Sequence, residues 1–293
     1  MQPSLQLSVP AAQAPWPWRL AMFMVRHGYP GGWRLLDLVR RLGIVKKPIC
    51  IPVPGGFLDV PLHRECQTDW DESYVLQYEK AFVDALVSAA ASLPGSIALV
   101  DCGADIGTLS VLLAGRVPRL SRIIAFEPNE EAFPFLESNL RRLSLPAVAR
   151  AAAVSDFRGR ARLDSTDLDR SDSAKFIVAD PAGAVTVERV DGLGIGGTSV
   201  ILKVDVEGAE IDVLRGALET LRAAPAFVVG FEAHREVATR TGIDPIECVR
   251  LLESVRPIRV AAAEEPGAHI DSRRPFFEQV GALKVYNLVC SST

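Results

Sequence analysis

The sequence predicts an α/β fold: a doubly wound, Rossmann-like sheet of seven strands. Three observations carry this reading. From residue 97 to residue 290, short apolar runs alternate with segments of helical spacing, at lengths that wind strands and helices into a mainly parallel sheet. The first run, ending Val100-Asp101, enters a turn with two glycines, Gly103 and Gly107, before helical spacing begins. The second run, Ile123 to Phe126, ends in Glu127-Pro128-Asn129, which sets an acid at the tip of the neighbouring strand. No internal repeat is visible.

Taken in order, residues 1–15 are rich in Pro, Gln and Ala and read as disordered. Residues 16–27 and 33–43 read as two short helices split by Tyr29-Pro30-Gly31-Gly32. Residues 49–62 read as a small hairpin, which prolines 48, 52, 54 and 61 restrict to an edge. Helical spacing from Glu72 to Ala91 offers Tyr74, Leu76, Tyr78, Phe82, Leu86 and Val87 as contact residues, and Leu93-Pro94-Gly95-Ser96 ends it. Strands follow at 97–101, 122–126 and about 147–154, with helices at 107–116 and 130–143. Asn129 is the expected N-cap of the second helix, with Glu130 and Glu131 in its first turn. Residues 160–163 and 184–189 alternate like an exposed hairpin. The polar connection from Asp164 to Asp180 reads as a mobile cover over a ligand site or as plain disorder. A strand at 199–205, a helix at 209–223, a strand at 226–232, a helix at 244–254 and extended runs at 256–262 and 282–290 complete the pattern. The expected organisation is an N-terminal extension and cap over 1–71, then a ligand-binding domain over 72–293 with an insertion at about 157–198.

Composition narrows the function. The chain has 293 residues, 48% of them hydrophobic, and a net charge of −4, so no basic excess argues for nucleic acid. Five scattered cysteines without a C-x-x-C pair argue against zinc and against a disulfide framework, and imply reduced thiols and a cytoplasmic location. No run is long and apolar enough to span a bilayer, and the N-terminus does not read as a signal peptide. Trp16 to Val25 is apolar and is followed by Arg26, Arg34, Arg40, Arg41, Lys46 and Lys47. Contact with a membrane surface is one reading of this segment. A packed cap is favoured, because Pro-Gly-Gly at 30–32 breaks any long amphipathic helix. Homo-oligomer formation through the same region is a further expectation.

The turn and its acids indicate a cofactor. Gly103 and Gly107 permit positive φ and close approach of backbone amides. Glu127, about 20 residues beyond the turn, is placed to hold ribose hydroxyls. Together they point to an adenosine-type ligand. A dinucleotide fingerprint would have glycine where Asp105 stands. An added negative charge is unfavourable beside a diphosphate, but suits a phosphate-free cationic cofactor such as S-adenosylmethionine. Capping by Asp101 and Asp105 is the plainer alternative, and it leaves Glu127 unexplained.

Four acids fall at strand ends: Asp101, Glu127, Asp205 and Glu232. Asp205 and Glu207 sit where an acid needs a partner or a ligand, while Glu210 suits a helix N-terminus. Lys203 shares a face with Asp205 and offers to neutralise it. Glu232 and His234, two residues apart on a strand, face the same side. With Asp205 alongside they suit a general base, either His234 or Asp205 with His234. They also suit a hard divalent cation such as Mg²⁺ on Asp205, Glu232 and His234. The alternative is that His234 caps a loop. His27, His63 and His269 have no partner at ligand spacing.

Asp-Cys-Gly-Ala-Asp-Ile-Gly at 101–107, Phe-Glu-Pro-Asn at 126–129, Ala-Val-Ser-Asp at 153–156 and Lys-Val-Asp-Val-Glu-Gly-Ala-Glu at 203–210 occur in that order. In these motifs the chain resembles the S-adenosylmethionine-dependent methyltransferases of the FkbM type, from about Glu72 to Leu221. The resemblance implies a class I methyltransferase sheet, with residues 72–293 binding S-adenosylmethionine and releasing S-adenosylhomocysteine. It implies O-methylation of a small-molecule hydroxyl, on a sugar or a glycosylated natural product. By the same resemblance Asp101, Gly103 and Gly107, with Ala104 and Asp105 in the same turn, shape the pocket for the methionine part. Glu127 takes both ribose hydroxyls with Pro128 and Asn129 flanking, and Ser155 and Asp156 sit at the adenine edge. Asp205 lies near the transferred methyl, Glu207, Glu232 and His234 lie near the acceptor, and Tyr74 and Tyr78 belong to a helix that closes over the cofactor. The family usually has Asn where Asp105 stands, and residues before 71 match it poorly, which assigns acceptor choice to them. The rival functions are a nicotinamide-dependent oxidoreductase on the same architecture, a non-catalytic cofactor- or partner-binding module, and N- or C-methylation.

Overall fold

In the computed structural model of the chain, residues 9–10, 13–165 and 175–292 are described. The expected disorder of 1–15 and most of the connection 164–180 fall wholly or partly outside these residues. The N-terminal part begins with a two-residue strand, β1 (Val9–Pro10), and two helices, α1 (Trp16–Arg26) and α2 (Gly32–Arg41). Left-handed Gly31 makes the turn between the helices. The hairpin is β2 (Ile49–Val53) and β3 (Gly56–Val60), paired antiparallel. Among the described residues β1 pairs only with Ile49 and Cys50, and Pro52 is paired on one side alone, with Phe57 of β3.

The single helix expected over 72–91 is two: α3 (Glu72–Gln77), N-capped by Asp71, and α4 (Lys80–Ala90). Glu79 between them is left-handed, at φ 43°. Apolar spacing continues across this break, which hides it from periodicity.

The main sheet then builds from β4 (Ile97–Cys102), α5 (Thr108–Arg116), β5 (Leu120–Phe126), α6 (Phe133–Arg141) and β6 (Ala147–Arg150). α6 starts later than expected. Asn129 accepts from the Glu131 N–H and closes a turn ahead of the helix, and Pro134 occupies the first helical turn. The run expected as one strand over 147–154 divides at Ala151. Its second half is β7 (Ala152–Val154), which joins another sheet with β8 (Gly159–Ser165), β9 (Lys175–Ala179) and β10 (Val185–Glu188). Residues 160–163 therefore pair with both β9 and β10. The ends of the expected polar cover, 164–165 and 175–179, are strand; residues 166–174 lie outside the described residues.

The chain returns to the main sheet with β11 (Ser199–Val204), then α7 (Glu210–Arg215), α8 (Leu218–Ala223), β12 (Phe227–His234), α9 (Arg235–Thr241), α10 (Ile246–Glu253), β13 (Ile258–Ala262) and β14 (Val285–Ser292). The helix expected over 209–223 breaks at Gly216, which packs so tightly on the Ser155 carbonyl that a Cβ would lie 2.2 Å from its oxygen.

The strand order is β13-β14-β12-β11-β4-β5-β6. β12, β11, β4, β5 and β6 are parallel, whereas β14 inserts antiparallel between β12 and β13. This is the predicted seven-stranded, doubly wound sheet, with an antiparallel edge that apolar spacing does not reveal. Alternate residues of the buried strands feed two layers. Ala98, Val100, Val200 and Leu202 pack with Val213, Leu214 and Leu252, while Leu99, Ile123 and Ile201 pack with Phe82, Leu86, Leu113 and Leu136. A third cluster joins Trp18, Met22, Leu36, Ile51, Leu58 and Val75 of the N-terminal part to Ile106 and Val111 of the main domain. Strand order reverses between β4 and β11, and the ligand crevice of such a sheet opens at the carboxyl ends there.

Candidate active site

A cavity of about 300 Å³ opens at that switch point. Gly103, Asp105, Glu127, Pro128, Asn129, Asp205, Val206, Glu207 and Glu232 line it from the strand ends. Cys66, Gln67, Trp70, Tyr74, Tyr78 and Glu79 close one side, and Ala152, Ala153, Val154, Leu163 and Ile177 form an apolar wall opposite. The rings of Tyr74 and Tyr78 stand 5.2 and 5.1 Å from that of Trp70.

Glu127 is held rigidly. It is 8% exposed; its Oε1 accepts from the Asn129 N–H and its Oε2 from the Asp105 N–H, both at 2.8 Å. Burial pushes its carboxyl up to about 7, against the opposing pull of those two N–H groups. Asp105 adopts φ 47° in making that bond. Its carboxylate accepts from Arg64 Nη1 at 2.7 Å and from Gln67 Nε2 at 2.9 Å. Arg64 thus offsets the charge expected to repel a diphosphate. The structural obstacle at this position is instead the Asp105 amide, which donates to Glu127 and not toward a phosphate.

Lys203 organises the second half of the site. Its buried ammonium lies 3.4 Å from Asp101 Oδ1 and 3.3 Å from Asp205 Oδ2, and it donates to the Gly103 carbonyl at 2.5 Å. The carboxylates of Asp205, Asp101 and Glu79 hold it charged despite the opposing effect of burial. Asp101 also accepts from Ser110 Oγ at 2.7 Å and stays wholly buried, behind the cavity rather than in its lining. Burial, then the Asp205 charge, raises the carboxyl of Glu79. Burial, then Asp205, Glu207 and Glu79, raises that of Glu232. The cavity therefore gathers several acids around one lysine, an environment that favours a cationic ligand.

The other expected residues fall differently. Gly107, at φ 86°, begins α5, and Ala104 is buried in the same turn. Gly103 must be glycine, since a Cβ would lie 1.8 Å from the Asp205 carbonyl oxygen. Ser155 and Asp156 do not line the cavity. The Ser155 N–H donates to the Glu188 carbonyl, and the preceding residues, Ala152 to Val154, line the cavity in their place. Tyr78 lines it from the break between α3 and α4, not from within a helix.

His234 is absent from this lining. It faces a small neighbouring cavity that also touches Glu207 and Glu232. Its Nδ1 accepts from the N–H groups of Glu236 and Val237, at 3.1 and 3.4 Å, capping α9. His234 thus caps a helix beside the main cavity, in line with the capping alternative, and stands outside the lining where a base was expected. Among the described residues, no group of three or more His, Cys, Asp or Glu side chains is arranged to hold a metal ion, which corrects the expected set Asp205, Glu232 and His234.

The sequence reading missed Glu79, Arg64, Gln67 and Trp70. Glu79 adopts a left-handed conformation that favours glycine, and no local pattern marks a glutamate for it. Arg64 precedes and Gln67 ends a single 3-10 turn, Glu65–Gln67, and only the tertiary fold brings them to Asp105.

A family model described as the methyltransferase FkbM domain matches residues 101–254, just over half of the chain. The hexuronic acid methyltransferase AglP of Haloferax volcanii is 24% identical over 163 residues, covering 54% of this chain and 62% of that protein. The AMB antimetabolite synthetase AmbE of Pseudomonas aeruginosa is 34% identical over 107 residues, 36% of this chain and 5% of that protein. The chain thus spans less than two thirds of either relative. Among solved structures, a methyltransferase FkbM from Methylobacillus flagellatus is 18% identical, with 67% of this chain and 43% of that chain covered and a TM-score of 0.42. An S-adenosylmethionine-dependent methyltransferase from Agrobacterium tumefaciens is 10% identical, with coverages of 84% and 69% and a TM-score of 0.43.

Proposed function

The chain belongs to the FkbM methyltransferase family, and from that premise we propose that it moves a methyl group from S-adenosylmethionine to a hydroxyl of a small molecule, with a sugar as the acceptor class. The observation that carries the reading is Glu127. Two backbone N–H groups fix its carboxylate at the cavity wall, one on each oxygen, and each oxygen keeps a lone pair for a further donor. A pair of vicinal ribose hydroxyls supplies two such donors.

The remaining residues fit the same cofactor. Glu79, Asp205, Glu207 and Glu232 suit a ligand that carries ammonium and sulfonium charges, and the Ala152–Val154 wall with Leu163 and Ile177 suits a flat apolar base. When bound, S-adenosylmethionine supplies a methyl group activated by its sulfonium. The protein's own task is alignment, water exclusion and proton removal. Trp70, Tyr74 and Tyr78 cover the cavity. The carboxylates of Glu79 and Asp205 are the bases available to the acceptor hydroxyl, Glu79 being the one added to those expected from sequence. Burial and the neighbouring acids push Glu232 up to about 9 and keep it protonated near neutral pH. His234 serves as a positioning residue through its cap on α9. The sugar assignment takes support from the relative named as a hexuronic acid methyltransferase.

The test is calorimetric titration with S-adenosylhomocysteine, followed by a screen of sugar and uronic acid glycosides with product analysis. Binding by the wild type that is lost in Glu127→Ala supports the cofactor assignment. A well-folded wild type that binds no S-adenosylhomocysteine removes it.

A further inference from the structure

Of the fourteen large hydrophobic side chains exposed among the described residues, eight lie between Trp16 and Ile44. In α1 they form one line: Trp16, Leu20 and Phe23 follow at intervals of four and three residues and are 72%, 43% and 50% exposed. Trp18, Ala21 and Met22 of the same helix are buried. A 100° step per residue puts the exposed line opposite the buried one. The helix is therefore apolar on two faces, and the fold covers one of them. Rings continue the exposed line beyond the helix, with His27 4.2 Å and Tyr29 5.9 Å from Phe23. Trp33, at the start of α2, is 61% exposed.

Charge identifies what meets this surface. Residues 16–47 hold seven Lys and Arg against one acid, Asp37, a net +6 in a chain whose total is −4. Arg40 and Arg41 pair with Asp37, and Arg26 pairs with Asp71. Among the described residues, no ion pair engages Arg19, Arg34, Lys46 or Lys47. An isologous contact with a second copy would set +6 against +6. Residues 1–12 contain no acid that could fold back as a counter-charge. Exposed tryptophans flanked by unpaired cations match a lipid interface carrying negative headgroups. Among the described residues, no helix is long and apolar enough to cross a membrane.

We propose that the α1–α2 hairpin seats this protein on an anionic membrane surface, with Trp16, Phe23 and Trp33 in the interfacial layer and the unpaired cations against lipid phosphates. Independently of the assigned methyl transfer, the full chain is sedimented with vesicles of phosphatidylcholine alone and of phosphatidylcholine mixed with phosphatidylglycerol. The wild type is expected to pellet with the anionic vesicles and to be released by salt. Two surface variants, Trp16→Ser/Phe23→Ser/Trp33→Ser and Arg34→Ser/Lys46→Ser/Lys47→Ser, are each expected to lower the partition coefficient about tenfold or more. Unchanged circular dichroism shows that the variants are folded. A wild type that stays in the supernatant with anionic vesicles overturns the proposal. So does one that binds both vesicle types equally, or a dimer in vesicle-free sedimentation that the aromatic variant dissolves.

Discussion

Arg64, 1% exposed, donates to Asp105 at 2.7 Å across 41 residues of sequence, and the Asp105 N–H holds Glu127. An arginine from the N-terminal part therefore supports the loop that presents the proposed ribose ligand. Arg64→Ala leaves Asp105 without its cation, although partial exposure of that carboxylate softens the penalty. Denaturant unfolding is expected to show a loss of about 2 kcal/mol. Asp105→Asn in the same background removes the stranded charge and should restore part of that loss.

The raised carboxyl of Glu127 makes ligand affinity depend on pH. Only the ionised form accepts two hydroxyl donors. Affinity for S-adenosylhomocysteine should therefore rise by up to about tenfold per pH unit below about 7 and level off above it. Calorimetry from pH 5.5 to 8.5 (about three units) reads this directly, and a flat profile in wild type would contradict it.

The same group affects stability with the opposite slope. Its folded value lies above its unfolded one, so the unfolded chain ionises first as pH rises. The ligand-free protein should lose stability from about pH 4.5 to about pH 7, by about 3 kcal/mol at most from Glu127. Glu79 and Glu232 act in the same direction. Urea denaturation at stepped pH measures the sum, and added S-adenosylhomocysteine should shrink it.

Replacing the proposed bases separates chemistry from architecture. Glu79→Gln and Asp205→Asn are expected to lower turnover by about 10²–10⁴-fold where the residue takes the proton. His234→Ala should leave turnover within a few-fold and cost about 1 kcal/mol of stability through the lost cap. Single-turnover methylation with matched melting curves decides it; a large turnover loss in His234→Ala would return the histidine to the chemistry.

Lys203→Met tests the buried hub. It strands Asp101, which has no water to turn to, and should destabilise the fold by about 3–5 kcal/mol. A stability change under 1 kcal/mol, on the scale of an exposed ion pair, would show that Asp101 is not charged there.

What the sequence revealed follows from local rules. The alternation of buried strands, the glycine turn at 103–107 and the acids at 127, 205 and 232 are local patterns, and all reach the carboxyl edge of the sheet. Asp101 ends its strand as read, yet serves Lys203 from behind the cavity wall. Of the side wall, Tyr74 and Tyr78 were expected through the family resemblance, whereas Gln67, Trp70 and Glu79, and Arg64 behind them, were not legible. Its residues act through partners dozens of positions away, and its central kink places a glutamate where backbone preference calls for glycine. His234 shows the reach of tertiary context in a related way. Its position at a strand end was correct, but the helix that starts there takes up its acceptor nitrogen.

The family match begins at Asp101, whereas the wall from Cys66 to Glu79 precedes it in the chain. Residues on both sides of the start of that match thus line one cavity, the strand ends within it and this covering side wall before it. Grafting the cover onto another sheet would be a route to new acceptors, since Trp70, Tyr74 and Tyr78 contribute nothing to the strands. The Arg64–Asp105 bond sets the terms of such a graft. A donor cover bringing arginine to a host with asparagine at this position would bury a cation with no carboxylate to meet it, so the two residues must travel together although the match includes only one of them.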